Sequence, residues 1–187
     1  MIATERLILR RWRAADLAPF AAINADPVTM RFMPSVMTAE ESQALIGRFE
    51  AHHRLHGFGV WAVEVPGVAP LAGFIGLQRV GFEAPFTPAV EIGWRLAPAF
   101  WGKGYATEGA KAALRFGFEN LTLDQIVSFT VLANKPSWSV MERLGMTRDP
   151  AEDFDHPRLP AGHALRRHVL YRMGRDAWER RPPAGTL

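Results

Sequence analysis

The residues Trp101-Gly102-Lys103-Gly104-Tyr105-Ala106-Thr107 have the types and spacing to hold an anion. An apolar, strand-like run, Ala89 to Leu96, precedes them, and a helical pattern from Glu108 to Asn120 follows. Gly102 and Gly104 let the chain turn tightly without Cβ interference, so successive backbone N–H groups converge on one spot. The helix that begins near Thr107 aims the positive end of its dipole at the same spot, and Lys103 adds a charge. A strand, a glycine turn and a helix start of this kind make a cradle for a pyrophosphate. The same short stretch also suits an ordinary strand-to-helix turn, because glycine motifs of this length recur by chance.

Other groups with chemical potential are sparser. Asp153, Asp155 and His156 crowd a segment that ends at Pro157, and read either as proton-transfer groups or as a surface loop. His156, His163 and His168 lack the tight helical spacing of a ligand set, so no metal is expected. His52 and His56 stand one helical turn apart and read as a solvated helix face. The chain has no cysteine, which excludes disulfides, thiolate zinc sites and a thiol nucleophile, and suits a reducing cytoplasm.

A chain of 187 residues with 48% hydrophobic content and no low-complexity tract is expected to fold as one soluble domain. Its apolar runs fall short of the ~20 residues a membrane span needs, and its arginine-rich start lacks the core of a secretory signal. The net charge of +3 is slight, and lysine stands only at positions 103, 111 and 135. Arginines are interleaved with acids instead of forming a stripe, so direct nucleic-acid binding is not expected.

The elements that must position the glycine turn follow from periodicity. Strands are predicted over Arg6–Trp12, Gly59–Val65, Leu71–Arg79, Ala89–Leu96, Gln125–Leu132 and Leu165–Met173. Helices are predicted over Asp16–Ala25, Ala39–Arg54, Glu108–Asn120 and Pro136–Arg143. Thr38 and Glu41 form a capping box before the second of these, and Pro136 and Gly145 bracket the last. The order β, α, α, β, β, β, α, β, α, β predicts a single α+β domain around a mixed sheet over residues 1–176. Residues 177–187, with Pro182-Pro183 and Gly185, read as a C-terminal tail.

Taken together, these motifs resemble the GNAT superfamily of N-acetyltransferases, in particular its ribosomal-protein alanine N-acetyltransferase (RimJ/RimL-like) branch. The resemblance rests on Thr4-Glu5-Arg6-Leu7-Ile8-Leu9-Arg10, Asn24-Ala25-Asp26-Pro27, Glu91-Ile92-Gly93-Trp94 and Pro98. It continues through Trp101-Gly102-Lys103-Gly104-Tyr105-Ala106, Asn134-Lys135-Pro136-Ser137 and Leu144-Gly145-Met146. It implies acetyl-CoA as donor, its pyrophosphate on residues 101–107, and acetyl transfer to a primary amine by direct attack. It also implies that the strands Ala89–Leu96 and Gln125–Leu132 splay apart to admit the pantetheine arm. The backbone of Trp94, Arg95 and Leu96 would then pair with that arm like an added strand, and the Asn134 amide would help to hold it. Trp101 stands where the superfamily often has Gln or Arg, and its ring is expected on the following helix.

Direct attack on a thioester needs a deprotonated amine, a stabilised oxyanion and a proton for the leaving thiolate. Glu91, on the strand beside the cradle, is the candidate base, with the Asp153, Asp155 and His156 loop as its rival. An ion pair with a neighbouring arginine is the alternative use of Glu91. Strand alternation sets Glu91 and Trp94 on opposite faces. Many relatives take their proton donor from a tyrosine where this chain has Met141, so the resemblance points to Ser137 instead. Capping the helix start is the other use of that serine. Acceptor contacts are expected from Phe32-Met33-Pro34, Met37, Trp61 and Phe82 to Phe86. The acceptor is a protein N-terminus or a small-molecule amine, and a homodimer fits the family pattern. The alternative is a CoA-binding sensor or interaction module with a dead acceptor site.

Overall fold

The computed structural model describes residues 1–181, and the last six residues lie outside the described part. The strands are β1 (Ile2–Ala3), β2 (Ile8–Arg10), β3 (Val60–Val65), β4 (Ala69–Arg79), β5 (Val90–Leu96), β6 (Gln125–Val131), β7 (Thr147–Arg148), β8 (Phe154–Asp155) and β9 (Arg167–Gly174). The helices are α1 (Leu17–Ala25), α2 (Ala39–His56), α3 (Tyr105–Arg115), α4 (Lys135–Arg143) and α5 (Arg175–Glu179). The strands form one open sheet in the order β1-β2-β3-β4-β5-β6-β9-β7, with β8 also on β9. Every pairing is antiparallel except β5 with β6, which run parallel and are joined by the α3 crossover. This is the expected α+β domain with a mixed sheet.

Local chemistry explains the helix ends. The Thr38 hydroxyl accepts from the Glu41 N–H at 3.2 Å while the Glu41 carboxylate accepts from the Thr38 N–H at 2.8 Å. This is the capping box read from the sequence. α3 starts at Tyr105, earlier than the periodicity suggested, because Gly104 at φ 81° supplies its N-cap. Its regular part ends at Arg115 and passes into a wider π turn over Phe116–Asn120. The first strand is shorter than expected, and the two-residue strands β1, β7 and β8 are too brief to leave a period in the sequence.

Alternating side chains put two cores on the sheet. One face carries Leu7, Leu9, Ile75, Leu77, Ile92 and Leu96 against Ala110, Ala113 and Leu114 of α3 and Met141 of α4. Gly109 allows the close approach of α3, since a Cβ there would meet the Ile75 Cδ1 at 2.4 Å. The other face divides: Phe20, Ile23 and Phe49 of α1 and α2 cover Ala62 and Leu71, while Val127, Phe154 and Leu170 gather Phe82, Phe86 and Phe129. β5 lies between those two groups.

Two expectations are corrected. His52 is not on a solvated face, because its Nε2 accepts the Arg79 N–H at 3.0 Å and its Nδ1 lies 2.9 Å from the Phe58 carbonyl. Its ring ties α2 to the sheet, a tertiary role invisible in helical spacing. Residues 177–179 of the expected tail belong to α5, where Trp178 stacks on Phe118 with centroids 5.4 Å apart, while Pro182, Pro183 and Gly185, the basis for a loose tail, lie outside the described residues.

Arg10 ties the N-terminal strand to its surroundings. It donates twice to Asp16 (2.8 Å each), to Glu64 at 2.7 Å and to the Pro70 carbonyl at 2.6 Å. The Arg10 and Asp16 side chains are only 4% and 3% exposed. Removing one member of such a pair strands the other charge away from water. Asp16→Asn is expected to lower stability by about 3–5 kcal/mol, measured as a fall in denaturant midpoint at unchanged m-value.

Candidate active site

β5 and β6 touch through one rung, Glu91 opposite Val127, and then diverge. Beyond that rung the β6-facing edge of β5 has no partner strand. The Ile92 carbonyl accepts from the buried Ser128 hydroxyl at 2.9 Å, which shows that even-numbered residues turn their backbone polar groups toward the gap. Trp94 and Leu96 share that parity. The odd-numbered residues turn theirs toward β4, as the Ala97 N–H to Ala72 carbonyl bond of 2.9 Å shows. Trp94 and Leu96 therefore offer a short strand edge, while the backbone of Arg95 is directed at β4 (Phe74).

The glycine turn lies at the end of this edge. Gly102 and Gly104 take φ values of 71° and 81°, a region open to glycine at little cost. The first helical bond closes from the Glu108 N–H to the Gly104 carbonyl at 3.0 Å. Among the described residues, the amides of Gly102, Lys103, Gly104, Tyr105, Ala106 and Thr107 have no acceptor. These N–H groups lie at the positive end of α3, a ready anion site.

The turn is held from outside by residues no periodicity analysis singles out. Glu108, in the first turn of α3, accepts from the Thr4 hydroxyl at 2.7 Å, the Arg6 N–H at 2.8 Å and the Arg6 Nε at 2.7 Å. Arg6 also donates to the Lys103 carbonyl at 2.9 Å, and its guanidinium lies 4.9 Å from the Tyr105 ring centre. The signal for this clasp was the Thr4-Glu5-Arg6 motif itself, which has no other evident use. Trp101 departs from expectation. Its ring does not pack on α3; its indole N–H donates to the Leu96 carbonyl at 2.7 Å, and Arg31 lies 4.9 Å over the ring. The Leu96 carbonyl is thereby occupied, which leaves the Trp94 N–H and C=O and the Leu96 N–H at the gap.

The far side of the gap is formed by the end of β6 and the start of α4. The Asn134 side chain donates to the Thr130 hydroxyl at 3.0 Å. Ser137 is half-buried in the first turn of α4, and its N–H bonds the Asn134 carbonyl at 3.0 Å. Met141 is 1% exposed within the core, so it offers neither access nor a proton.

Opposite the α3 side, β5 presents Glu91, Gly93 and Arg95. Among the described residues, Glu91 has no arginine partner, and Gln78 alone donates to it, at 3.2 Å. Burial pushes its carboxyl up to about 7, against the smaller opposing pull of Gln78. Arg95 donates to the Asn24 carbonyl oxygen at 2.7 Å, and desolvation lowers it to about 10. The rival acidic loop is differently placed. Asp153 is paired with Arg148, Asp155 with Arg166 and Arg167, and Glu152 with Arg172. His156 lies against Phe82 and His168, with its pKa lowered first by burial. Of the expected acceptor contacts, Trp61 is a core residue, 2% exposed and packed edge-on to Phe116. Met37, by contrast, lies beside Arg95, its sulfur 3.9 Å from Nη1. Asn24 escaped notice as a site residue because a buried asparagine in a helix reads as packing. Among the described residues, no group of acidic or histidine side chains is arranged to hold a metal, and no helix is long and apolar enough to cross a membrane.

An open mixed sheet of this kind is shared with solved acetyltransferases of the GNAT family. The model described as the acetyltransferase (GNAT) domain matches residues 6–147, and the chain belongs to this family. The Bacillus subtilis protein named uncharacterized N-acetyltransferase YnaD is 28% identical over 182 residues, covering 95% of this chain and 98% of that one. An Aspergillus fumigatus FsC-acetyl coenzyme A-N(2)-transacetylase is 34% identical over 131 residues, 64% of this chain and 55% of its own length. Among solved structures, a Bacillus anthracis GNAT acetyltransferase superposes with a TM-score of 0.76 at 27% identity, covering 94% of this chain and 98% of its own. RimL, a ribosomal alpha-N-protein acetyltransferase solved with coenzyme A, shares the fold at a TM-score of 0.73 and 17% identity, over 93% and 97% of the two chains.

A carboxyl that ionises near 7 when folded and near 4.5 when exposed binds more protons in the native state between those values. Stability conferred by that extra proton is present at low pH and lost as pH rises through 7. Glu91→Gln, which cannot ionise, is therefore expected to gain stability relative to the parent chain between pH 5 and pH 8. Paired denaturation curves at the two pH values measure this, and a constant difference contradicts the shifted carboxyl.

Proposed function

We propose that this chain is an acetyl-CoA-dependent N-acetyltransferase that moves acetyl from the thioester to a primary amine without a covalent enzyme intermediate. The observation that carries the reading is the meeting of two features: six unpaired amides at the start of α3, and a strand edge left free by the single-rung contact of β5 with β6. The first suits a diphosphate and the second an amide-bearing arm, which are the two ends of a pantetheine cofactor. Acetyl-CoA supplies the activated acyl group, and the chain's own residues do the rest.

The amides of residues 102–107 neutralise the diphosphate, and the positive end of the α3 dipole adds to them. Arg6, Thr4 and Glu108 keep the turn in its open form. Trp94 and Leu96 align the pantetheine amides, and Asn134 steadies the opposite wall. Glu91, desolvated and ionising near 7, takes the proton from an incoming ammonium, directly or through water. The carboxylates of the 152–155 segment are poor rivals, since arginines engage all three and Arg148 holds the Asp153 carboxyl below the usual carboxylate range. Ser137 returns a proton to the thiolate from the start of α4. The free amine attacks the thioester carbonyl, the C–N bond forms, the C–S bond breaks, and the thiol leaves protonated. The Thr4–Arg10 and Asn134–Ser137 motifs favour the RimJ/RimL-like branch, and an absence of cysteine favours the cytoplasm as its compartment.

Calorimetry with acetyl-CoA and a thiol-release assay over an amine panel test the reading. Gly104→Val forces a branched residue into φ 81° beside the Arg6 Nη2, and is expected to weaken acetyl-CoA binding about tenfold or more. Glu91→Gln is expected to bind acetyl-CoA as before, yet lose roughly 100-fold or more in kcat/KM. It should also lose the acid limb near pH 7. Acetyl-CoA binding with no thiol release from any amine sinks the enzyme reading in favour of a CoA sensor.

A further inference from the structure

Among the described residues, Arg95 is a cation without a counter-charge, held on the proposed acceptor side of β5. Its Nη1 donates to the Asn24 Oδ1 at 2.7 Å, and its guanidinium lies 5.3 Å over the Phe74 ring. The neighbouring acids are committed elsewhere. Asp26 accepts from the Val28 and Thr29 backbones, and Glu41 caps α2. Arg95 therefore pairs with no carboxylate among the described residues. A half-buried guanidinium satisfied by one neutral amide is an expensive arrangement unless another anion completes it.

The arrangement around it is built in advance. Asn24 is fully buried, and its Nδ2 donates to the Ser42 hydroxyl at 3.1 Å. Ser42 in turn donates to the Thr38 carbonyl at 2.9 Å, and the Asn24 carbonyl accepts the Met37 N–H at 2.9 Å. Residues from α1, α2 and their connection thus fix one side of the guanidinium and leave its remaining N–H groups to spare. Glu91, Gly93 and Arg95 share one face of β5, and Gly93 between them has no side chain. The floor between a proton acceptor and a cation is left open, with the two Cα atoms about 13 Å apart at ~3.3 Å per residue.

We infer that the acceptor carries a carboxylate, and that Arg95 binds it while the amine lies over Gly93 within reach of Glu91. This rests on the proposed acetyl transfer and narrows its acceptors to amines with a carboxylate a few bonds away, such as amino acids, aminoalkanoates or short peptides. Arg95 selects the acceptor and takes no part in proton transfer.

The experiment compares aminoalkanoates of increasing chain length with their own carboxamides, in the thiol-release assay with acetyl-CoA. The parent chain is expected to favour the best carboxylate over its amide by about 10- to 100-fold in kcat/KM, chiefly through KM. Arg95→Gln should bring that ratio to about one, and Arg95→Lys should restore part of it. Equal rates for carboxylates and carboxamides with the parent chain overturn the inference while leaving acetyl transfer intact, and need no variant to fold. A ratio unchanged in Arg95→Gln overturns it as well. Thiol release from neither series, with acetyl-CoA bound, defeats the transferase reading and this inference together.

Discussion

The architecture depends on one interruption in a hydrogen-bonded ladder. β5 and β6 are joined at Glu91 and Val127 and part immediately afterwards. Parallel strands normally continue pairing, because unpaired N–H and C=O groups in a sheet interior lose free energy when water is excluded. Here the loss is limited in two places by side chains: the Ser128 hydroxyl bonds the Ile92 carbonyl, and the Trp101 indole bonds the Leu96 carbonyl. What stays unpaired among the described residues, at Trp94 and on the N–H of Leu96, is the edge proposed to pair with an extended, amide-bearing ligand.

The two faces of β5 then separate the roles. Ile92, Trp94 and Leu96 point toward α3 and the main core, while Glu91, Gly93 and Arg95 lie on the opposite face, with Glu91 bonded by Gln78 and Arg95 bonded to Asn24 of α1. A period of two residues thus sets the proposed donor-binding edge and the proposed acceptor floor on one short strand. Electrostatics differ in the same way. The α3 side presents N–H groups and a helix dipole, whereas the opposite face holds Glu91, pushed up by burial to about 7, and Arg95, which bonds Asn24 and no carboxylate among the described residues. Ion pairs elsewhere in the fold, such as Arg10 with Asp16, are complete.

Much of this was legible from residue types and spacing. The β-rich runs, the capping box of Thr38 and Glu41, the glycine turn and the order of elements all arise from local chemistry, and local chemistry is written in neighbouring residues. Boundaries were less legible. α3 begins at Tyr105 because the left-handed Gly104 can serve as its cap, and β1, β7 and β8 exist only because longer strands lie beside them.

The sequence by itself determined which groups were available: a cradle of backbone amides, a carboxylate on a strand, a serine at a helix start, and no thiol. Only the tertiary structure decided their states. It withdrew Asp153 and Asp155 into ion pairs with arginines, sent Trp61 into the core and turned His52 into a bracket between α2 and the sheet. It also set Glu91 beside Gln78 and Arg95 beside Asn24, with no opposite charge on either among the described residues. The reason is physical: protonation and charge pairing depend on solvent access and on atoms distant in the chain, and neither is carried by the residues next door.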